Sequence, residues 1–187
     1  MGHKRKVNED CLVLIPEAGV LGVADGIGGG DSGDVASHQV AACLQEALSK
    51  APEENESFDE RVQRIQMALL RANKWVRDHG RRANLELCGS TVVLLVFDEN
   101  DPAQARVIHA GDSRLYRMNS DGVALLTRDH NAANEFSAEI LGRLKPNQHQ
   151  HITRAIGIKD TLKTEVSDIR VAIGDRFLLC TDGLYGM

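Results

Sequence analysis

The chain has 187 residues, of which 42% are hydrophobic and 26% charged, with a formal net charge of -5 at pH 7. That length accommodates one domain with a substantial core, and no apolar run approaches the roughly 20 residues that a membrane helix needs. An acidic balance argues against nucleic acid as a partner, because backbone binding needs a basic face. The basic start Met1-Gly2-His3-Lys4-Arg5-Lys6 runs into Asn8-Glu9-Asp10 without an apolar signal core or cleavage site, so a cytoplasmic location is the default expectation. Cys11, Cys43, Cys88 and Cys180 lie far apart, without zinc or redox spacing, and three of them sit in apolar stretches as buried reduced thiols.

In chain order, Leu12 to Ile15 and Val20 to Ala24 are short runs rich in Val, Ile and Leu, the pattern of strands. The period then changes. Val40, Cys43, Leu44, Ala47 and Leu48 share one helical face within Val35 to Leu48, and Val62, Ile65, Leu69, Ala72 and Val76 share another within Phe58 to Val76. Ser57 with Glu60 forms a capping box for the second helix, after a polar connector over Glu53 to Glu56. Strand patterns resume at Thr91 to Phe97, Ala105 to His109, Leu115 to Met118 and Val123 to Leu126. A further helix is expected within Asn131 to Leu144, ended by Pro146, and strands at Ile169 to Ile173 and Phe177 to Cys180 close the series. Strands, two helices, then many strands means that the helices cover a sheet face, an α+β layered fold with mostly antiparallel pairing.

The chemistry concentrates at strand ends. Leu21-Gly22-Val23-Ala24-Asp25-Gly26 runs from an apolar strand into Ile27-Gly28-Gly29-Gly30, where the backbone can approach a ligand closely. An Asp in that turn repels bare phosphate, whereas a carboxylate beside the Gly26 carbonyl suits a hard cation such as Mg²⁺ or Mn²⁺. The bland alternative is an ordinary Asp-Gly turn. The device recurs at Asp182-Gly183 after Phe177 to Cys180 and, in another form, at Gly111-Asp112, while Glu9-Asp10 precedes the first strand. Carboxylates gathered without cations raise one another's pKa values at a cost in stability, so convergence of these ends would imply bound metal.

Arg5-Lys6-Val7-Asn8-Glu9-Asp10, Val23-Ala24-Asp25-Gly26-Ile27-Gly28-Gly29, Gly89-Ser90-Thr91, Gly111-Asp112-Ser113-Arg114, Leu126-Thr127-Arg128-Asp129-His130, Thr153-Arg154-Ala155-Ile156-Gly157 and Cys180-Thr181-Asp182-Gly183-Leu184 together resemble the ordered motif series of the metal-dependent (type 2C) serine/threonine protein phosphatases, in their bacterial form. The resemblance spans nearly the whole chain and implies a central antiparallel β-sandwich flanked by helix pairs, in four layers. It implies two Mn²⁺ or Mg²⁺ ions at one edge of the sandwich, with a third in bacterial members. Asp25 would bridge two ions, the Gly26 carbonyl and, directly or through water, Glu9 and Asp10 would serve the second, Asp182 the first, and Asp112 with Asp182 the third. Arg5 matches the family's phosphate-binding arginine. The implied reaction is attack of a metal-bridging water on phosphoserine or phosphothreonine, without a phospho-enzyme.

Some positions depart from the pattern or carry blander readings. Ile27 stands where the eukaryotic branch has a histidine assigned as general acid. His130 reads as a structural residue, His149 and His151 as part of a variable flap, Trp75 as packing, and Arg77, Arg81 and Arg82 around Asp78 as a solvated helix end. The family continues past Asp-Gly-Leu with a helical stretch and an Asn-Asp motif that supplies a further carboxylate, whereas this sequence runs to Met187; its opening strand is likewise absent or shortened. The expectation is one catalytic domain over residues 1–187, incomplete at both ends, monomeric, with self-association open to it through exposed sheet edges. Phosphorylated proteins are the expected partners, with a cognate Ser/Thr kinase. The competing readings are a weak or inactive phosphatase-like module that binds phosphoproteins, and a phosphatase of anti-sigma-factor antagonists.

Overall fold

The computed structural model describes residues 8–28, 31–49 and 56–186. Two antiparallel sheets and one pair of long helices form three layers. The first sheet joins β1 (Asp10–Ile15), β2 (Val20–Ile27), β4 (Val92–Phe97), β5 (Gln104–Ala110) and β8 (Glu165–Arg170) in the order β1-β2-β4-β5-β8, with β3 (Gly89–Ser90) pairing the end of β2. The second sheet has the order β7-β6-β9, from β6 (Arg114–Asn119), β7 (Gly122–Leu125) and β9 (Arg176–Cys180).

Strand β4 shows why this sequence builds layers. Successive side chains point to opposite faces of a strand, so Val92, Leu94 and Val96 face the helices while Val93 and Leu95 face the second sheet, and all five are buried. The helix side continues with Val13, Ile15, Val20, Ala24, Ile108 and Ala110 from neighbouring strands. The other side packs Val23, Val107 and Leu115 against Phe177 and Leu179, with Phe97 and Phe177 edge to face at 6.3 Å. A fully buried Leu or Ile in such a layer contributes roughly 1.5–3 kcal/mol.

The helices α1 (Asp31–Leu48) and α2 (Phe58–Arg82) lie on the first sheet through the expected faces: Val40, Cys43, Leu44 and Leu48 on one, and Val62, Ile65, Leu69, Ala72 and Val76 on the other, are buried, with Ala47 half-buried. The Ser57 hydroxyl accepts the Glu60 N–H at 3.2 Å and the Glu60 carboxylate accepts the Ser57 N–H at 2.8 Å, the reciprocal cap that starts α2. Arg61, buried within α2, donates to the carbonyls of Ala18 and Phe97 and pairs with Glu99, tying the helix to the end of the β2–β4 pair remote from Asp25.

Several expectations shift. The helix expected within Asn131 to Leu144 is two single turns, α3 (Ala132–Glu135) and α4 (Ala138–Leu141), because Asn131 and Ser137 each cap a new start. Pro146 opens a short 3-10 turn. The strand placed at Ile169 to Ile173 is β8 instead, since the Asp175 carboxylate accepts the Ala172 N–H and bends the chain into a turn there. The polar connector falls mostly on residues outside those described. Trp75 stacks on His79 at 5.0 Å, a packing role; Arg77 is mostly covered and pairs with Asp160, while Arg81 and Arg82 stay exposed as a solvated helix end. Among the described residues the second sheet carries no long helix on its outer face, so the helix pair flanks one side. Leu12 and Leu14 of β1 are 65% and 57% exposed because the three-stranded sheet does not reach across to them.

Candidate metal centre

Antiparallel pairing alternates strand direction, and this brings the acidic strand ends together. The start of β1, the end of β2, the start of β4 and the end of β5 share one edge of the first sheet, and the start of β6 and end of β9 share the corresponding edge of the second. Asp10 is registered opposite Asp25 across β1 and β2, and the Gly26 N–H donates to the Glu9 carbonyl at 3.0 Å. The Thr181 hydroxyl donates to Asp10 Oδ2 at 3.2 Å, which seats the residue before Asp182 on the β1 side of the corner.

Local chemistry fixes each carboxylate. Asp25-Gly26 is not a turn after the strand: β2 continues through it to Ile27, held on one side by Glu9 and on the other by Gly26–Ser90 pairing. Gly26 is required by close approach, since a Cβ there would lie 2.2 Å from the Gly33 carbonyl oxygen at the start of α1. Asp182 likewise is not in a turn but opens a single helical turn, α5 (Asp182–Tyr185), behind Thr181. One turn on, the Tyr185 hydroxyl donates to the Asp112 carbonyl at 2.7 Å and its ring lies 3.6 Å beneath the Arg114 guanidinium, which pairs through two nitrogens with Asp129 at 3.0 and 2.8 Å. Thr91 Oγ1 joins the two halves, accepting the Asp25 N–H at 3.0 Å and lying 2.6 Å from Ser113 Oγ.

Electrostatics identify what the corner is suited to hold. Glu9 and Asp25 are only 5% and 8% exposed. Burial, reinforced by the charges of Asp182 and Asp129, pushes the Asp112 carboxyl up to about 6. A bound cation would offset the charge that burial makes costly at Asp112, and carboxylate and carbonyl oxygens are the donors that a hard cation such as Mg²⁺ or Mn²⁺ takes. Backbone and hydroxyl contacts thus bring to one corner the strand ends that carry Glu9, Asp10, Asp25, Gly26, Asp112 and Asp182. Arg5 lies outside the described residues. An apolar cleft of about 360 Å³, lined by Leu12, Val23, Leu179, Cys180 and Leu184, opens beside Asp10 at the seam of the sheets.

A second cluster looks like a ligand set but is not arranged as one. His109, His130 and Glu165 bring donor atoms within 4.8 Å of one another. The Gly111 N–H donates into His130 Nδ1, so the proton of neutral His130 sits on Nε2 and points at Glu165, 3.1 Å away. His109 donates from Nε2 to the Arg128 carbonyl, and the two rings stack at 4.4 Å, nearly parallel. Burial lowers both pKa values, favouring neutral rings. The pair braces the Gly111 side of the corner, in keeping with the structural reading of His130. His149 Nε2 donates to the Leu141 carbonyl at 3.2 Å.

Thr91 and Thr181 stood inside motifs of the resemblance without a role assigned to them, and Tyr185 had no signal of its own in the sequence. Tyr185 could be found only by knowing that Asp182 begins a helix, which puts position i+3 over the same face.

The chain matches the model of the family described as Protein phosphatase 2C over residues 3–187. It is 29% identical over 189 residues to the serine/threonine protein phosphatase PstP of Mycobacterium tuberculosis, covering 98% of this chain but 34% of that one. It is 28% identical over 196 residues to the protein phosphatase PhpP of Streptococcus pneumoniae, covering 77% of it. The chain thus spans about a third of the length of PstP. Among solved structures, PppA, a key regulatory component of T6SS in Pseudomonas aeruginosa, superposes with a TM-score of 0.79 at 35% identity, over 97% of this chain and 74% of that one. The catalytic domain of PstP in complex with two manganese ions gives a TM-score of 0.73 at 27% identity, over 98% and 74%. By motif order, fold and the composition of its acidic corner, the chain belongs to the protein phosphatase 2C family.

Proposed function

We propose that this chain is a protein serine/threonine phosphatase that hydrolyses phosphoserine and phosphothreonine with water as the nucleophile. The observation that carries the reading is the meeting of acidic strand ends at one corner of two sheets, with Asp10 registered against Asp25 and the Asp112 carboxyl raised by burial and, less, by Asp182. In this reading residues 1–187 form one catalytic domain. Asp25, the Gly26 carbonyl, Asp182, Glu9 and Asp10 would hold two Mn²⁺ or Mg²⁺ ions, and Asp112 with Asp182 would hold a third. Such ions, when bound, ionise water near neutral pH and offset the charge of the phosphoryl oxygens.

The chain's own residues do the remaining work. Thr91 and the Glu9 carbonyl hold the Asp25-Gly26 backbone, so that the carboxylate and the carbonyl present a fixed pair of oxygens. Arg5, four residues before Glu9, pairs with phosphate oxygens and stabilises charge in the transition state. Ile27 offers no proton and the His130 Nε2–H is engaged by Glu165, so the departing alkoxide takes its proton from water held at the site or from another residue. The substrates are phosphorylated proteins, opposite a cognate Ser/Thr kinase in bacterial signal transduction. In this reading the chain acts in the cytoplasm as a monomer.

The test is hydrolysis of p-nitrophenyl phosphate and of a phosphothreonine peptide with and without Mn²⁺, alongside Mn²⁺ calorimetry. Mn²⁺-dependent turnover, lost in Asp25→Asn and reduced in Arg5→Ala at unchanged Mn²⁺ affinity, is expected. Mn²⁺ binding without turnover on either substrate would leave a phosphoprotein-binding module as the better account.

A further inference from the structure

A second pocket, of about 370 Å³, lies outside the acidic corner and is lined by Glu135, Phe136, Thr153, Arg154, Lys159 and Lys163, with Leu162 beside them. It runs against the charge of the molecule: three cationic side chains and one carboxylate line it in a chain of net charge -5. The carboxylate is already committed. Glu135 accepts the Thr153 hydroxyl and pairs with Arg154. Lys159 spends one N–H on the Thr153 carbonyl at 2.9 Å, and neither Lys159 nor Lys163 has a carboxylate partner among the described residues. The pocket therefore presents two ammonium groups above an apolar wall of Phe136 and Leu162.

The segment that carries these residues has almost no secondary structure, yet it is pinned from three directions. Asn73, buried in α2, accepts the Gly157 N–H at 2.7 Å and donates to the Lys159 carbonyl at 3.0 Å. Arg77 holds Asp160, Gln66 donates to Thr164 at 3.1 Å, and Ile156 bridges Ser90. A site held this way needs little ordering when a ligand arrives.

Its position follows from the pairing. Gly26 is registered with Ser90, and Ser90 with Ile156. At about 4.8 Å per strand, Ile156 stands roughly 10 Å from Gly26, and Arg154 is two residues further along. At about 3.3 Å per residue, an extended peptide covers that distance in about three to five residues.

Resting on the phosphatase reading above, we propose that this pocket is a subsite for a second anionic group on the substrate, a carboxylate or a further phosphate some three to five residues from the phosphoresidue being cleaved. An aliphatic stem packs on Phe136 and Leu162 while the anionic tip meets Lys159 and Lys163. The chain then discriminates among phosphoproteins by the charge of the flanking sequence.

The experiment compares one phosphothreonine peptide carrying Ala, Glu or phosphoserine at each position three to five residues on either side. Turnover with Mn²⁺ is referenced to p-nitrophenyl phosphate, which has no flanking residue, and peptide binding is measured by fluorescence anisotropy in EDTA. The Glu and phosphoserine peptides should exceed the Ala peptide in kcat/KM about five- to tenfold at low salt, the preference shrinking as ionic strength rises. Lys159→Glu/Lys163→Glu should erase it, while the small-ester rate reports that the corner is intact. The Glu and phosphoserine arms separate the two anion sources. Normal ester turnover with equal rates on all peptides, or a preference that survives in the double variant, overturns the subsite alone. Absent ester turnover counts against the phosphatase reading, and the anisotropy arm then decides the pocket: equal affinity for Ala and acidic peptides overturns it.

Discussion

Thr91 and Asp25 exchange two hydrogen bonds, the Asp25 N–H donating to Thr91 Oγ1 at 3.0 Å and the Thr91 N–H donating to the Asp25 carbonyl at 2.8 Å. The same hydroxyl meets Ser113, beside Asp112, so one buried side chain couples two strand ends that are 87 residues apart in sequence. Thr91→Val keeps the shape and leaves a buried N–H without its acceptor, which costs about 1–3 kcal/mol. Urea unfolding should register that loss, Mn²⁺-dependent turnover should fall with it, and Thr91→Ser should restore both; full activity in Thr91→Val would remove the hydroxyl from the positioning scheme.

Asp112 gives a pH signature to the metal-free chain. Its folded pKa of about 6 stands above the ordinary carboxyl value, so the folded state binds this proton more tightly than the unfolded state does. Its contribution to stability in EDTA therefore falls as pH rises through about 4 to 6 and levels above that. Asp112→Asn should remove the slope, stabilise the metal-free protein at pH 7.5 by about 2 kcal/mol, and weaken Mn²⁺ binding. Thermal melts in EDTA and Mn²⁺ calorimetry read the two effects separately. A variant less stable than the parent in EDTA would refute the charge argument.

The buried histidine pair has the opposite sign. Burial lowers the folded pKa of His109, so the unfolded state takes up more protons below about 6.5 and stability falls as pH drops from 7 toward 5. The groups that face it are the His130 ring, Glu165, Arg154 and the Arg128 carbonyl. His109→Phe preserves the stack but loses the bond to Arg128, at a cost of about 1 kcal/mol near pH 7.5. Compared in the Asp112→Asn background, it should show a flatter decline between pH 7 and 5; an unchanged slope would place the titration elsewhere.

Tyr185 offers a test of how α5 supports the corner. Tyr185→Phe keeps the ring under Arg114 and removes only the hydrogen bond to the Asp112 carbonyl, a loss of about 1 kcal/mol. The Mn²⁺ concentration for half-maximal turnover should rise several-fold, while the melting temperature falls by only about 2–4 °C. If it does not move, the hydroxyl has no part in setting the Asp112 loop.

Gly26 sets the tightest steric limit at the corner. Gly26→Ala drives a methyl group into the Gly33 backbone, which has no rotamer with which to yield. The expected cost is about 1–3 kcal/mol, by overpacking, with loss of Mn²⁺ binding. Denaturation and calorimetry on the same sample check both.

Much of this protein was legible in its residues. The α1 and α2 faces, the Ser57–Glu60 cap and most strands followed from period and capping chemistry, because those signals depend on neighbours within one or two turns. Strand ends and breaks were read less well. Asp25-Gly26 looked like a turn and is strand, since its hydrogen-bond partners Glu9 and Ser90 come from other segments. The end of β8 was set by Asp175, and the split between α3 and α4 by two separate caps.

The sequence by itself determined the family and the identity of the acidic strand ends, because carboxylates at the ends of apolar runs, in a fixed order, are local facts. Only the tertiary structure decided that those ends meet. Antiparallel pairing across β1, β2, β4 and β5, and across β6 and β9, places alternate termini on one edge, and no residue near Asp25 encodes its nearness to Asp10, Thr91 or the Asp112 loop. The cationic pocket beside Ile156 is likewise a product of long-range packing, assembled where Asn73, Arg77 and Ser90 hold a segment that carries no periodic signal of its own.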